Sequence, residues 1–243
     1  MIRHVGGVAY AHPVTTVLLL RHGRSTANAG GVLAGWTPDV HLHETGQQQA
    51  EALAQRLEKV PLTAVVTSPL ERCQETLTPL LKARGIEASI DERFGEVRYG
   101  DWTGVELKKL AKDPLWPVVQ SHPSGMTFPG EGGESMRGMQ NRAVEAVREW
   151  NATLGEEATY LVCSHGDVIK AIVADALGMH LDTFQRINVD PASLTIIRYG
   201  KVRPFVVKVN DNGGSLDALI PPKRRRRRAA TRDAVVGGST GDT

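Results

Sequence analysis

LLLRHGRSTAN (Leu18–Asn28) decides how the chain is read. Three leucines run directly into arginine, histidine and glycine. The apolar run Thr16–Leu20 (TVLLL) reads as a buried strand. Arginine and histidine ordinarily sit at the surface, so a buried strand that ends on them is delivering them to a particular place. Two further apolar runs end in the same way. Thr63–Thr67 (TAVVT) leads into Ser68-Pro69-Leu70-Glu71-Arg72, and Thr159–Cys163 (TYLVC) leads into Ser164-His165-Gly166.

Helical patterns separate these strands. Gly46–Val60 puts Ala50, Leu53, Ala54 and Leu57 on one face, with Thr45 as a cap. Pro69–Arg84 is helical and stops at Gly85. In Ser135–Leu154 the apolar residues Met136, Met139, Ala143, Val147, Trp150 and Leu154 recur every three or four positions. Val168–Leu177 is a further helix. Ile86–Ile90 reads as a third strand, and Leu194–Tyr199 with Pro204–Val209 as a late hairpin. Strands alternating with helices predict a three-layer α/β/α fold on a mostly parallel sheet covered on both faces.

Two stretches break the rhythm. Phe94–Gly133 is rich in glycine and proline and predicts a long excursion, a lid, over one edge. The chain after Asn210 has few apolar residues and carries KRRRRR (Lys223–Arg228), which predicts a solvated, disordered tail. The expected organisation is an N-terminal extension over 1–14, one domain over 15–210 with its lid at about 94–134, and a tail over 211–243. The extension lacks the long apolar core of a secretion signal.

Composition narrows the class. Of 243 residues, 41% are hydrophobic, enough for a substantial core, and the net charge is +2. Seven basic and three acidic residues fall in 216–243, leaving 22 basic and 24 acidic elsewhere, so the basic character belongs to the tail and not to the domain. Nucleic acid is therefore a poor partner for the domain. Two cysteines, Cys73 and Cys163, make neither a disulfide scaffold nor a metal spacing and suit a reducing, cytoplasmic setting. No run approaches the roughly 20 apolar residues of a membrane span.

In a parallel α/β sheet, ligands bind outside the carboxyl ends of the strands. Arg21, His22, Arg72 and His165 would meet there, beside helix N-termini that favour anions. Two arginines repel a metal cation, whereas their forks match the oxygens of a phosphate monoester. A histidine beside them can serve as a nucleophile in its neutral form. The leaving alkoxide needs a proton, and RFGEVRYGDWTG (Arg93–Gly104) offers two carboxyls, Glu96 and Asp101.

Five motifs in order resemble those of the histidine phosphatase superfamily, in its phosphoglycerate-mutase-like branch. They are Arg21-His22-Gly-x-Ser25 followed by Asn28, LHETGQQQA (Leu42–Ala50), TSPLERCQET (Thr67–Thr76), GEVRYGDWTG (Gly95–Gly104) and SHGDVIKA (Ser164–Ala171). The resemblance spans Thr16 to Val209. It implies that His22 is the nucleophile, that Arg21, Arg72 and His165 hold the phosphoryl group with Asn28, and that Glu96 rather than Asp101 is the proton donor. It implies no metal and no organic cofactor, and a small phosphorylated metabolite as the partner.

Some positions depart from the family. Arg24 stands where the family often has an acidic residue or glutamine, and adds positive charge at the mouth. Ala34 replaces the mutases' serine, although the Gly35 amide can still serve. Asp167-Val168 is closer to the phosphatases, and the excursion lacks the mutases' basic pairs. These features favour a phosphatase over two rivals, a phosphomutase and a non-catalytic anion-binding adaptor. Trp116, Met126 and Phe128 are read equally as lid or as core, and Cys73 as packing. A homo-oligomer stays open.

Overall fold

The structure is a computed structural model that describes residues 14–213. The expected extension over 1–13 and the tail from 214 onward, KRRRRR included, lie outside those residues. Six strands, β1 (Thr15–Arg21), β2 (Ala64–Thr67), β3 (Ser89–Ile90), β4 (Thr159–Ser164), β5 (Leu194–Tyr199) and β6 (Pro204–Asp211), form one sheet. Their order is β3-β2-β4-β1-β5-β6. The first four strands in that order pair in parallel, and β5 pairs antiparallel with both β1 and β6. The expected hairpin is this β5–β6 pair, and β6 runs through Asp211 into what reads as tail. Asp211 accepts a 2.9 Å hydrogen bond from Arg56 there.

Seven α-helices accompany the sheet among the described residues. They are α1 (Thr26–Gly30), α2 (Glu44–Leu57), α3 (Glu71–Arg84), α4 (Leu107–Leu110), α5 (Trp116–Ser121), α6 (Met136–Leu154) and α7 (Gly166–Ala176). Alternation along β1 divides the core in two. Leu18 and Leu20 face α2 and α3 together with Leu53, Leu57, Leu77 and Leu80. Val17 and Leu19 face α6 and α7 together with Met139, Ala143, Ile169 and Ile172. β4 divides likewise, with Leu161 and Cys163 on the first side and Tyr160 and Val162 on the second. The sheet is therefore the middle layer of three.

The structure corrects several local expectations. His43, not Thr45, caps α2, with its Nδ1 accepting the Thr45 N–H. The third strand shrinks from Ile86–Ile90 to two exposed residues, because it pairs only with Val66 and Thr67 at the sheet edge. α3 starts at Glu71, after Ser68 Oγ has accepted the Leu70 N–H at 3.3 Å. The excursion sends its apolar residues into the domain. Phe94, Val97, Tyr99, Trp102, Leu110 and Val119 join the α6–α7 core. Met126 and Phe128 are buried there and Trp116 packs against it, so packing wins over a pocket-lid role for all three. No helix among the described residues is long and apolar enough to cross a membrane.

Candidate active site

The carboxyl ends of β1, β4 and β2 end level with one another, since Arg21 pairs with Ser164, and Leu20 and Thr67 both pair with Cys163. Each strand hands its next residues to the same edge. His22 N–H donates to the Ser164 carbonyl at 3.0 Å, which extends the ladder one residue past β1 and fixes the histidine's backbone. Arg21 is fully buried and its Nη1 donates to the Val189 carbonyl at 2.7 Å. Arg72 comes from the first turn of α3, and His165 is the N-cap of α7. The structure thus gathers the four residues that the strand ends predict.

Hydrogen bonds fix the chemical state of His22. Its Nδ1 lies 2.7 Å from the Gly23 carbonyl, which only accepts, so Nδ1 carries the proton and Nε2 presents a lone pair. Arg72 Nε–H points at that lone pair from 3.3 Å. Arg72 Nη2 donates to the Gly35 carbonyl at 2.9 Å and lies 3.2 Å from His165 Nδ1. A guanidinium only donates, so His165 Nδ1 accepts and its Nε2–H faces Ser68 Oγ at 2.8 Å. The remaining nitrogen, Arg72 Nη1, is buried without a hydrogen-bond partner. Such a donor costs about 1–3 kcal/mol unless something arrives to accept from it.

Electrostatics keep both histidines neutral. Burial, then the Arg72 and Arg21 charges, hold His22 well below the ordinary imidazole range. Burial and Arg72 do the same for His165. Glu96 lies beside them, with Oε1 accepting the Val97 N–H at 3.0 Å and Oε2 3.8 Å from His165 Nδ1. Burial and then the Asp167 charge raise its carboxyl to about 7, against the pull of Arg72 and Arg21. The Glu96–His165 approach is therefore a contact between largely neutral groups and not an ion pair. Asp101, the other sequence candidate, is exposed and packs beside Gly130.

Three predicted residues take positions that the sequence left open. Asn28 Oδ1 accepts from Ser25 N–H at 3.1 Å and Ser25 Oγ at 2.9 Å, a capping box on α1 that leaves only its amide nitrogen as a donor. Gly35, at φ +52°, offers its carbonyl to Arg72. Arg24 is half-buried, its N–H donating to Gln49 Oε1 at 2.9 Å and its carbonyl accepting from His43 N–H at 2.9 Å. Sequence reasoning missed Ser68, Tyr99 and Asp167. Tyr99 donates to Asp167 Oδ2 at 3.3 Å, and Lys170 Nζ lies 3.6 Å from Asp167 Oδ1. The one signal for Asp167 was its place directly after His165-Gly166. Cys73, read as packing, is buried but also brings Sγ to 3.5 Å from His165 Nε2. Among the described residues, no three or more His, Cys, Asp or Glu side chains are grouped to hold a metal ion.

A family model described as the histidine phosphatase superfamily (branch 1) matches residues 17–212. The chain belongs to this superfamily. It is 30% identical over 203 residues to phosphoserine phosphatase 1 of Hydrogenobacter thermophilus, covering 80% of this chain and 91% of that one. It is 31% identical over 179 residues to a glucosyl-3-phosphoglycerate phosphatase of Mycolicibacterium vanbaalenii, covering 70% and 78%. Among solved structures, YhfR of Bacillus stearothermophilus superposes with a TM-score of 0.74 at 32% identity, over 81% of this chain and 97% of that one. The family and its phosphatase members make this chain a phosphatase, a phosphoric monoester hydrolase.

The superfamily motifs now have physical reasons here. A Cβ on Gly46 would fall 2.1 Å from the Arg24 carbonyl oxygen, and one on Gly23 would fall 2.8 Å from the Gly46 carbonyl oxygen, so the two glycines let α2 close onto the His22 loop. Gln49 adds its bond to Arg24 from the same helix. Thr76 accepts the Gly23 N–H at 2.9 Å and donates to the Arg72 carbonyl at 2.6 Å, which links the His22 loop to the Arg72 helix.

Proposed function

We propose that this phosphatase hydrolyses the phosphomonoester of a small metabolite in two steps, through a phosphohistidine on His22 and without a metal ion. In the first step His22 Nε2 forms a bond to phosphorus, the phosphorus–oxygen bond to the leaving group breaks, and Glu96 gives its proton to the departing oxygen. In the second step water attacks, its proton passes to Glu96, and the phosphorus–nitrogen bond breaks to release inorganic phosphate. Arg21 and Arg72 hold the phosphoryl oxygens with the Asn28 and Gly35 amides, His165 orients Arg72 through its Nδ1 or turns its N–H from Ser68 to the phosphoryl group, and Arg24 sits at the rim. A loosely bonded, charge-spread transition state needs positioning and electrostatic support of this kind.

One observation carries the reading. A neutral histidine turns its only lone pair toward an arginine that still holds a buried, unsatisfied donor. A phosphate oxygen satisfies that donor while bringing phosphorus to the lone pair. Two relatives are named for phosphoserine and glucosyl-3-phosphoglycerate, so a panel of metabolite phosphates begins with those. His22→Ala is expected to lower hydrolysis of p-nitrophenyl phosphate by at least 10³-fold, since nothing else near the site replaces the nucleophile. Rapid quenching of the wild type with labelled substrate should trap an acid-labile, base-stable phosphoryl protein. Normal turnover by the alanine variant defeats the mechanism.

A further inference from the structure

Glu96 lies in an irregular stretch between two short 3-10 turns, Glu92–Phe94 and Gly100–Trp102. A proton donor on irregular backbone stays in place only if other groups hold it. Arg142, from the middle of α6, does so from one side. Its Nη1 donates to the Arg93 carbonyl at 2.7 Å and the Gly95 carbonyl at 2.9 Å, and its Nη2 donates to the Glu96 carbonyl at 3.0 Å. The same guanidinium makes a bidentate pair with Glu134, Nε to Oε1 at 2.7 Å and Nη2 to Oε2 at 2.9 Å. All five donors of the arginine are thereby used. Glu134 returns to the stretch, accepting the Arg98 N–H at 3.2 Å and donating its own N–H to the Arg98 carbonyl at 2.8 Å. Trp36 Nε1–H completes the arrangement with a 2.6 Å bond to the Glu96 carbonyl.

We propose that Arg142, backed by Glu134, is a positioning residue that holds the Glu96 carboxyl within proton-transfer reach of the leaving oxygen while touching no substrate. The proposal rests on Glu96 as the acid. Nothing smaller replaces the arginine, because lysine offers three donors from one point and cannot span three carbonyls and a carboxylate. Helix α6 is regular and packed through Met139, Ala143 and Val147 on its other faces. Loss of Arg142 therefore loosens the acid's backbone, leaving it the Trp36 bond, and keeps His22, Arg72 and His165 on their strand and helix ends.

Leaving-group chemistry tests this. p-Nitrophenolate departs as a stable anion and needs little protonation, whereas the alkoxide of β-glycerol phosphate needs a proton. kcat/KM is measured for both esters with the wild type, Arg142→Ala, Arg142→Lys and Glu134→Gln. General acids contribute about 10²–10⁴-fold and a 1 Å misplacement costs about 10²-fold. Arg142→Ala and Arg142→Lys should therefore lose about 10–100-fold more on the glycerol ester than on the aryl ester. Glu134→Gln should shift the ratio the same way by less, and it decides the matter if the Arg142 variants do not fold. An equal loss on both esters, or an unchanged ratio in the folded variants, overturns the proposal. Wild-type hydrolysis of both esters tests the functional reading separately.

Discussion

At the residue scale, one buried pocket pushes two kinds of group toward their neutral forms. Burial strips His22 of its proton, and burial with a carboxylate neighbour keeps the proton on Glu96. Below about pH 7 the pocket thus holds a base without its proton and an acid with one, the pairing that the proposed phosphoryl transfer to nitrogen needs. The sign of the pH effect follows. His22 remains neutral well below pH 6.5, so its charging does not limit the rate there. Glu96 loses its proton as pH rises through about 7, so kcat/KM should fall above that point. Glu96→Gln should remove that descending limb and slow the reaction by about 10²–10⁴-fold. A retained limb in a pH–rate profile of the variant would assign it elsewhere. Strand-end residues such as His22 and His165 were legible because an apolar run aims them. Glu96 and Asp101 were indistinguishable by type, since no periodicity fixes an irregular stretch. Arg142 left no trace, being one polar residue beside the apolar stripe of an amphipathic helix.

At the element scale, the His22 loop is held by backbone approach more than by side chains. Helix α2 packs so tightly on the His22 loop that a Cβ at position 46 would fall 2.1 Å from the Arg24 carbonyl oxygen, a fit that only glycine allows. Gly46→Ala should push α2 outward, at about 1–3 kcal/mol or more for the forced overpacking, and move Arg24 and its neighbour His22 with it. Urea unfolding should show the lost stability and kcat the displaced nucleophile. A variant with wild-type stability would mean that α2 yields freely. The long helices were legible from their 3.6-residue period, and α6 matches its expected range with Ser135 as N-cap. Lid and core could not be told apart in the excursion because glycine and proline mark turns without saying whether the side chains between them are buried. Phe94, Tyr99, Trp102 and Phe128 lie inside, Tyr99 and Trp102 both edge-on to Phe128 with centroids 4.9 and 5.4 Å away.

At the scale of the whole molecule, the site's electrostatics tax the fold. Below about pH 6.5 the unfolded chain binds protons on His22 and His165 that the folded protein refuses. Between 4.5 and about 7 the folded protein keeps a Glu96 proton that the unfolded chain releases. Two protons taken up on unfolding against one released leaves the contribution of these groups to stability rising with pH between about 4.5 and 6.5. His22→Ala should flatten that slope, and urea midpoints at pH 5 and 6.5 for both proteins would show whether it does. The parallel sheet was legible from the alternation of strands and helices, but its order was not, because sequence adjacency does not reveal which strand is inserted between which. That order bears on how the protein comes into being. β4 lies between β1 and β2 yet is synthesised some ninety residues after β2. A growing chain holds Arg21, His22 and Arg72 long before it owns the strand that sets them one interstrand spacing to either side, and a β1 that paired early with β2 would shut β4 out. The gathering of Arg21, His22 and Arg72 at one sheet edge is therefore a late product of folding, unavailable to any ribosome-bound fragment that stops short of Ser164.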